Sequence, residues 1–107
     1  MSSLAEECDA ALAKSVTAMT HADVSLLLLM QADLARIVPR AIEMLAVNPF
    51  IEAEHYRGDL LKNTLRVPAN YWAEHHDQWL RIHSILHDIE EIVAEIAEAK
   101  FAFFQLK

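Results

Sequence analysis

The chain has 107 residues, 54% of them apolar, with one Gly and three Pro, a composition that supports one helical core and argues against strands and turns. Sixteen acids against nine bases give a formal charge of −7 at pH 7, which disfavours direct nucleic-acid binding, because phosphates need Lys and Arg to neutralise them. The same balance favours a basic protein partner, since complementary charge speeds encounter; ordinary surface solubility is the plain alternative. Cys8 has no second cysteine to pair with, and no Lys, Arg or His lies within a turn of it to activate a thiolate. With a start, MSSLAEEC, that is acidic where a signal peptide would be basic, this points to the cytosol. The run Leu26 to Met30 is too short to span a bilayer, so no membrane segment is expected.

In chain order, Ser3-x-x-Glu6 reads as a capping box, and from it Leu4, Cys8, Leu12, Val16 and Met19 recur at helical spacing. Thr20-x-x-Asp23 repeats the start signal. The helix it opens is apolar nearly all round, with Val24, Leu27, Leu28, Leu34 and Val38 on one side and Leu26, Leu29, Met30 and Ile37 on the other. A helix without a polar face belongs between others, so this is the expected centre of the core. Pro39 removes a backbone donor and predicts a break near residues 38–39, after which Arg40 to Val47 restarts as a short helix carrying Ile42 and Leu45 inward. An irregular segment is expected near residues 48–58. Gly58-Asp59 then opens a short helix with Leu60, Leu61 and Leu65 that stops before Pro68, and a further start follows at Tyr71-Trp72. The last helix is expected from Asp77 to Phe103, with Ile82, Ile85, Leu86, Ile89, Ile92, Val93, Ile96 and Phe103 on one face. The fold class is therefore all-α: one domain over residues 1–107, about five helices, two of them long.

Chemistry-bearing constellations are few. His83 and His87 stand at the i, i+4 spacing that lets two imidazoles reach one metal, with His76 and Glu91 on nearly the same face, within ~40° of it for the His residues. The Glu that completes a zinc-protease motif is missing, so the expectation is no metal and no cofactor. Asp77, Asp88, Glu91, Glu95 and Glu98 form an acidic stripe on the same helix, either a solvated face or a docking strip. Di-iron bundles need Glu-x-x-His on two helices, and no helix here carries one. Neither a Ser-His-Asp nor a Cys-His arrangement nor a Gly-rich phosphate loop is present, so no catalysis is expected.

The most specific stretch is Asn48 to Trp72, which holds the only Gly, two of the three Pro and both Tyr. Gly58 reads as a position of backbone freedom and Asp59 as a cap of the following helix or a partner contact; Tyr56 and Trp72 read as rings closing the end of the core or as anchors for a partner. An Asn-Pro turn, Tyr-x-Gly-Asp-Leu-Leu and then Val-Pro-x-x-Tyr-Trp resemble the small helical immunity proteins of bacterial contact-dependent growth inhibition (CDI) over roughly residues 38–75. The matching positions are Asn48, Pro49, Glu54, Tyr56, Gly58, Asp59, Leu60, Leu61, Val67, Pro68, Tyr71 and Trp72; at Arg57 the pattern suggests Pro or a small residue.

The resemblance implies a toxin domain, in many such systems a nuclease, as the partner. A nuclease site is basic because it holds phosphate, so an acidic chain competes with its substrate by masking it stoichiometrically. It does not locate the interface. Charge and aromatic content nominate Glu52, Glu54, Asp59, Tyr71, Trp72, Glu74, Asp77, Asp88, Glu91 and Glu95 as toxin contacts, on a chain that is a monomer or weak homodimer when free. The alternative is a non-catalytic helical adaptor that oligomerises through Phe101, Phe103 and Phe104.

Overall fold

Both capping boxes form in the computed structural model, which describes residues 3–106. Ser3 Oγ accepts the Glu6 amide at 3.1 Å and opens α1 (Leu4–Leu12); Thr20 Oγ1 accepts the Asp23 amide at 3.1 Å and opens α2 (His21–Leu29). Then come α3 (Leu34–Val47), α4 (Asp59–Leu65), α5 (Ala69–Glu74) and α6 (His76–Phe104), six α-helices and no strand among the described residues. The chain is all-α, as its composition requires.

Two local expectations are corrected. The first helix does not reach Met19: it ends at Leu12, and Val16–Ala18 form a 3-10 turn. Ser15, Val16 and Thr17 are poor helix formers, and the Arg36 guanidinium takes the freed carbonyls of Leu12 at 2.9 Å and Lys14 at 3.3 Å. The break expected near residues 38–39 lies earlier, because α3 runs straight through Pro39 and the chain turns at residues 30–33. There Gln31 and Asp33 adopt left-handed conformations, φ 54° and 52°. Each costs about 1–2 kcal/mol, but folding α2 back on α3 buries Val24, Leu27, Leu28, Ile37, Val38, Ile42 and Leu45, each worth roughly 1.5–3 kcal/mol. Burial wins by a wide margin. The separate short helix over Arg40–Val47 is therefore the second half of α3.

A further finding concerns α6. Its apolar face does not bury as a whole: Ile82 is in the core, Ile85 and Leu86 pack partly against it, and beyond Ile89 the helix leaves the body. Ile92, Val93, Ile96 and Phe103 are all more than half exposed. At 1.5 Å per residue α6 is about 43 Å long, and it stretches the molecule to 55 × 36 × 22 Å. The radius of gyration is 16.6 Å, against about 13 Å for a compact chain of this length.

In the body, α2 lies among α1, α3 and α4, while α3 also packs on α6 and α5 closes the corner against α6. The core lies where these meet. Of the leucines expected inward from α4, Leu60 is fully buried and Leu65 is exposed.

Candidate functional site

The irregular segment between α3 and α4 is held from inside. Gly58, at φ +89°, takes a conformation other residues avoid, and it turns the next residue, Asp59, inward. Asp59 is 3% exposed, and its carboxylate accepts the backbone amides of Ala53 at 2.7 Å, Glu54 at 3.0 Å and His55 at 2.9 Å. Burial pushes its carboxyl up, but the amides of His55, Ala53, Glu54 and Tyr56 outweigh burial and hold its pKa at about 2. Asp59 is therefore not the cap of α4 but the pin of the loop, its carboxylate turned to these amides and away from solvent. The pin is completed by the Gly58 amide donating to the Ile51 carbonyl at 3.1 Å and by a single bridge between Glu52 and Arg57. Outward from it stand Glu52, Glu54, His55, Tyr56 and Arg57, all exposed. A loop ordered within the fold need not be ordered again when a partner binds.

A second surface forms where α4, α5 and α6 meet. Tyr71 is 7% exposed, its hydroxyl donating to Gln78 Oε1 at 2.6 Å and its ring stacked on His75 at 4.0 Å. It closes the α5–α6 corner and leaves little of its ring at the surface. Trp72 is half-buried, its indole N–H donating to the Val67 carbonyl at 3.1 Å. One face of its ring lines an open apolar groove of about 300 Å³ shared with Leu65, Trp79, Ile82 and Leu86. Trp79, 40% exposed, is stacked between His76 at 5.3 Å and His83 at 5.1 Å. The sequence reading passed over Trp79; its i, i+7 spacing from Trp72 and its place between two His on one helix face were the available signals.

The nominated acids do not converge. Glu52 and Glu54 project from the pinned loop, and Glu54 faces a recess shared with Leu26 and Leu29 of α2. Glu74 and Asp77 lie exposed at the α5–α6 corner, each within two residues of a groove tryptophan, while Asp88, Glu91 and Glu95 continue along the projecting helix. His87 Nε2 lies 3.0 Å from Glu91 Oε1 and His83 is engaged with Trp79. No group of three or more His, Cys, Asp or Glu is placed to hold a metal ion among the described residues. No helix among them is long and apolar enough to cross a membrane.

A helical scaffold with a pinned loop and a tryptophan-walled groove offers surfaces that a partner can occupy. A family model described as CDI immunity proteins matches residues 1–82, and the chain belongs to that family. That membership gives it the role of neutralising a cognate toxin. No curated protein and no solved structure matches the chain.

Proposed function

We propose that the chain neutralises its toxin by stoichiometric masking, that the toxin is a basic nuclease, and that the contact centres on the Trp72–Trp79 groove. The observation that supports this reading is the groove's composition: an exposed Trp79 and a half-buried Trp72 lining it with Leu65 and Leu86. Interface energy concentrates in desolvated aromatic anchors surrounded by a polar rim. The chain's charge of −7 suits a partner whose own site holds phosphate. Six of the eight groove residues lie within the matched residues, and His83 and Leu86 lie just beyond them. Such an inhibitor acts in the cytosol, where a nuclease meets its substrate, and needs no metal, cofactor or catalytic step.

The test is a titration of the purified cognate toxin domain with the chain, read as residual nuclease activity. Activity falls linearly to an end point near one chain per toxin, and toxin recovered by denaturing the complex regains full activity after refolding. Inactivation by a small fraction of an equivalent, or toxin that stays inactive after recovery, sinks the masking reading. Trp79→Ala, whose fold is checked by circular dichroism, weakens the complex by roughly tenfold or more, the scale of an aromatic anchor.

A further inference from the structure

The geometry points to an antiparallel homodimer formed by the projecting half of α6, independent of the toxin-binding reading. A run of apolar residues recurs there at heptad spacing. Ile89, Ile96 and Phe103 occupy one seam position and Ile92 and Ala99 the other, with Leu106 just past the helix end at the next position in register. One heptad earlier the same two positions hold Ile82 and Ile85, which pack on the body. The seam thus begins as the chain's own core and continues past the point where the chain has anything left to cover it. Phe101 and Phe104 fall outside it; of the three C-terminal rings, only Phe103 lies on the seam.

The occupant that fits is a second copy. Laid antiparallel, the seam closes in a–d layers of Ile89 against Leu106 of the second copy, Ile92 against Phe103 and Ile96 against Ala99, each repeated by symmetry. The flanks of this register hold no like-charge pair among the described residues: Val93 meets Lys100, and Glu95 meets Ala102. Glu90, Glu91 and Glu98 take outward positions. At the base of the projection an apolar recess of about 220 Å³, walled by Pro49, Phe50, Ile89 and Ile92, stands where Leu106 of the second copy arrives. Parallel pairing is blocked, because the body already lies on the seam at Ile82 and Ile85 and two bodies would claim one space.

Taking Phe50, Ile92, Val93, Ile96, Phe103 and Leu106 at roughly 100 Å² of exposed side chain each, about half of an aromatic's full surface, gives ~1,200 Å² in total, the lower edge of a specific interface. A weak, concentration-dependent dimer follows. Because the seam is apolar and each chain carries −7, salt strengthens this dimer by screening repulsion, whereas it weakens attraction between an acidic chain and a basic partner.

The experiment is native mass by light scattering on the full chain at about 100 µM, where mass action favours a dimer, with and without added salt. The expected mass is twice the 12.1 kDa of one chain, rising in population with salt. Ile96→Glu restores the single-chain mass with unchanged helicity, since its side chain is 58% exposed in the free chain. Orientation is read from a spin label on Gln105→Cys in a Cys8→Ser background: antiparallel pairing separates the labels by about 25 Å, parallel pairing by about 10–15 Å. A wild-type chain at 12.1 kDa under all these conditions overturns the proposal. So does a dimer that survives Ile96→Glu, or a short label distance.

Discussion

The carboxylate of Asp59 accepts the amide of Ala53 at 2.7 Å from a position almost closed to solvent, so the only acid buried beneath the loop is also the one that shapes it. Its pKa of about 2, against an ordinary 3.8, has a definite sign for stability. The folded chain holds the ionised form, so the contribution is fully present above pH 4 and is lost as pH falls from about 4 through 2. Its size is about 2 kcal/mol. Asp59→Asn should lose about that much at pH 7, and its acid unfolding should flatten over that window; urea melts at pH 7 and pH 3 read both. A loss under roughly 0.5 kcal/mol, the scale of surface changes, would show that the loop stands without its pin.

Leu28 is fully enclosed between α2 and its neighbours. Leu28→Ala should cost about 2–5 kcal/mol, the transfer term plus the cavity left behind. Chemical denaturation measures it, and a cost near zero would mean that α2 is not central.

Pro39 sits inside α3, where it removes the donor that the Ala35 carbonyl would otherwise receive. Pro39→Ala restores that bond but frees the unfolded chain by about 0.4–1 kcal/mol, against roughly 3 kcal/mol for Pro in a helix interior. The net expectation is a stabilised protein, by about 2 kcal/mol, with a higher melting temperature. A drop in melting temperature would mean that the Pro39 ring packs in a way Ala does not replace.

Charge neutralisation distinguishes the candidate faces. Association with the toxin should slow as salt rises while dissociation changes less. Changing Glu74 and Asp77 to Gln and Asn should flatten that dependence more than changing Glu6, Glu7 and Asp9 together, read by stopped-flow binding across a salt series. A larger effect from Glu52 and Glu54 moves the contact to the pinned loop; equal effects from all sets remove it from both.

His83 and His87 have separate engagements, with Trp79 and Glu91 respectively. A chelator should leave helicity and melting temperature unchanged. A clear loss would reveal a structural metal, since such metals contribute folding energy outright.

Much of the local structure was legible because its causes lie within a few residues. The two capping boxes need only Ser3 with Glu6 and Thr20 with Asp23, and the turn at Gly58 needs only a missing Cβ. The length of α6 follows from uninterrupted helix formers. The motif around Asn48 to Trp72 led to the family, and the family match covers it.

What the sequence by itself determined is therefore helical class, the main starts, the irregular segment and the kinship. Only the tertiary structure decided where the apolar helix folds back: the turn came at Gln31–Asp33 because antiparallel packing of α2 on α3 buries both apolar sides, an advantage invisible to a rule about Pro39 alone. It also decided which acids face solvent. Asp59 and Glu54 look alike in the sequence, but one is enclosed by three amides and the other projects, because the amides that choose between them are gathered only when the loop closes. The same holds for the isoleucine face of α6. Its periodicity is uniform, yet the body ends near Ile89, and where a helix outruns its own core is a property of the packed molecule.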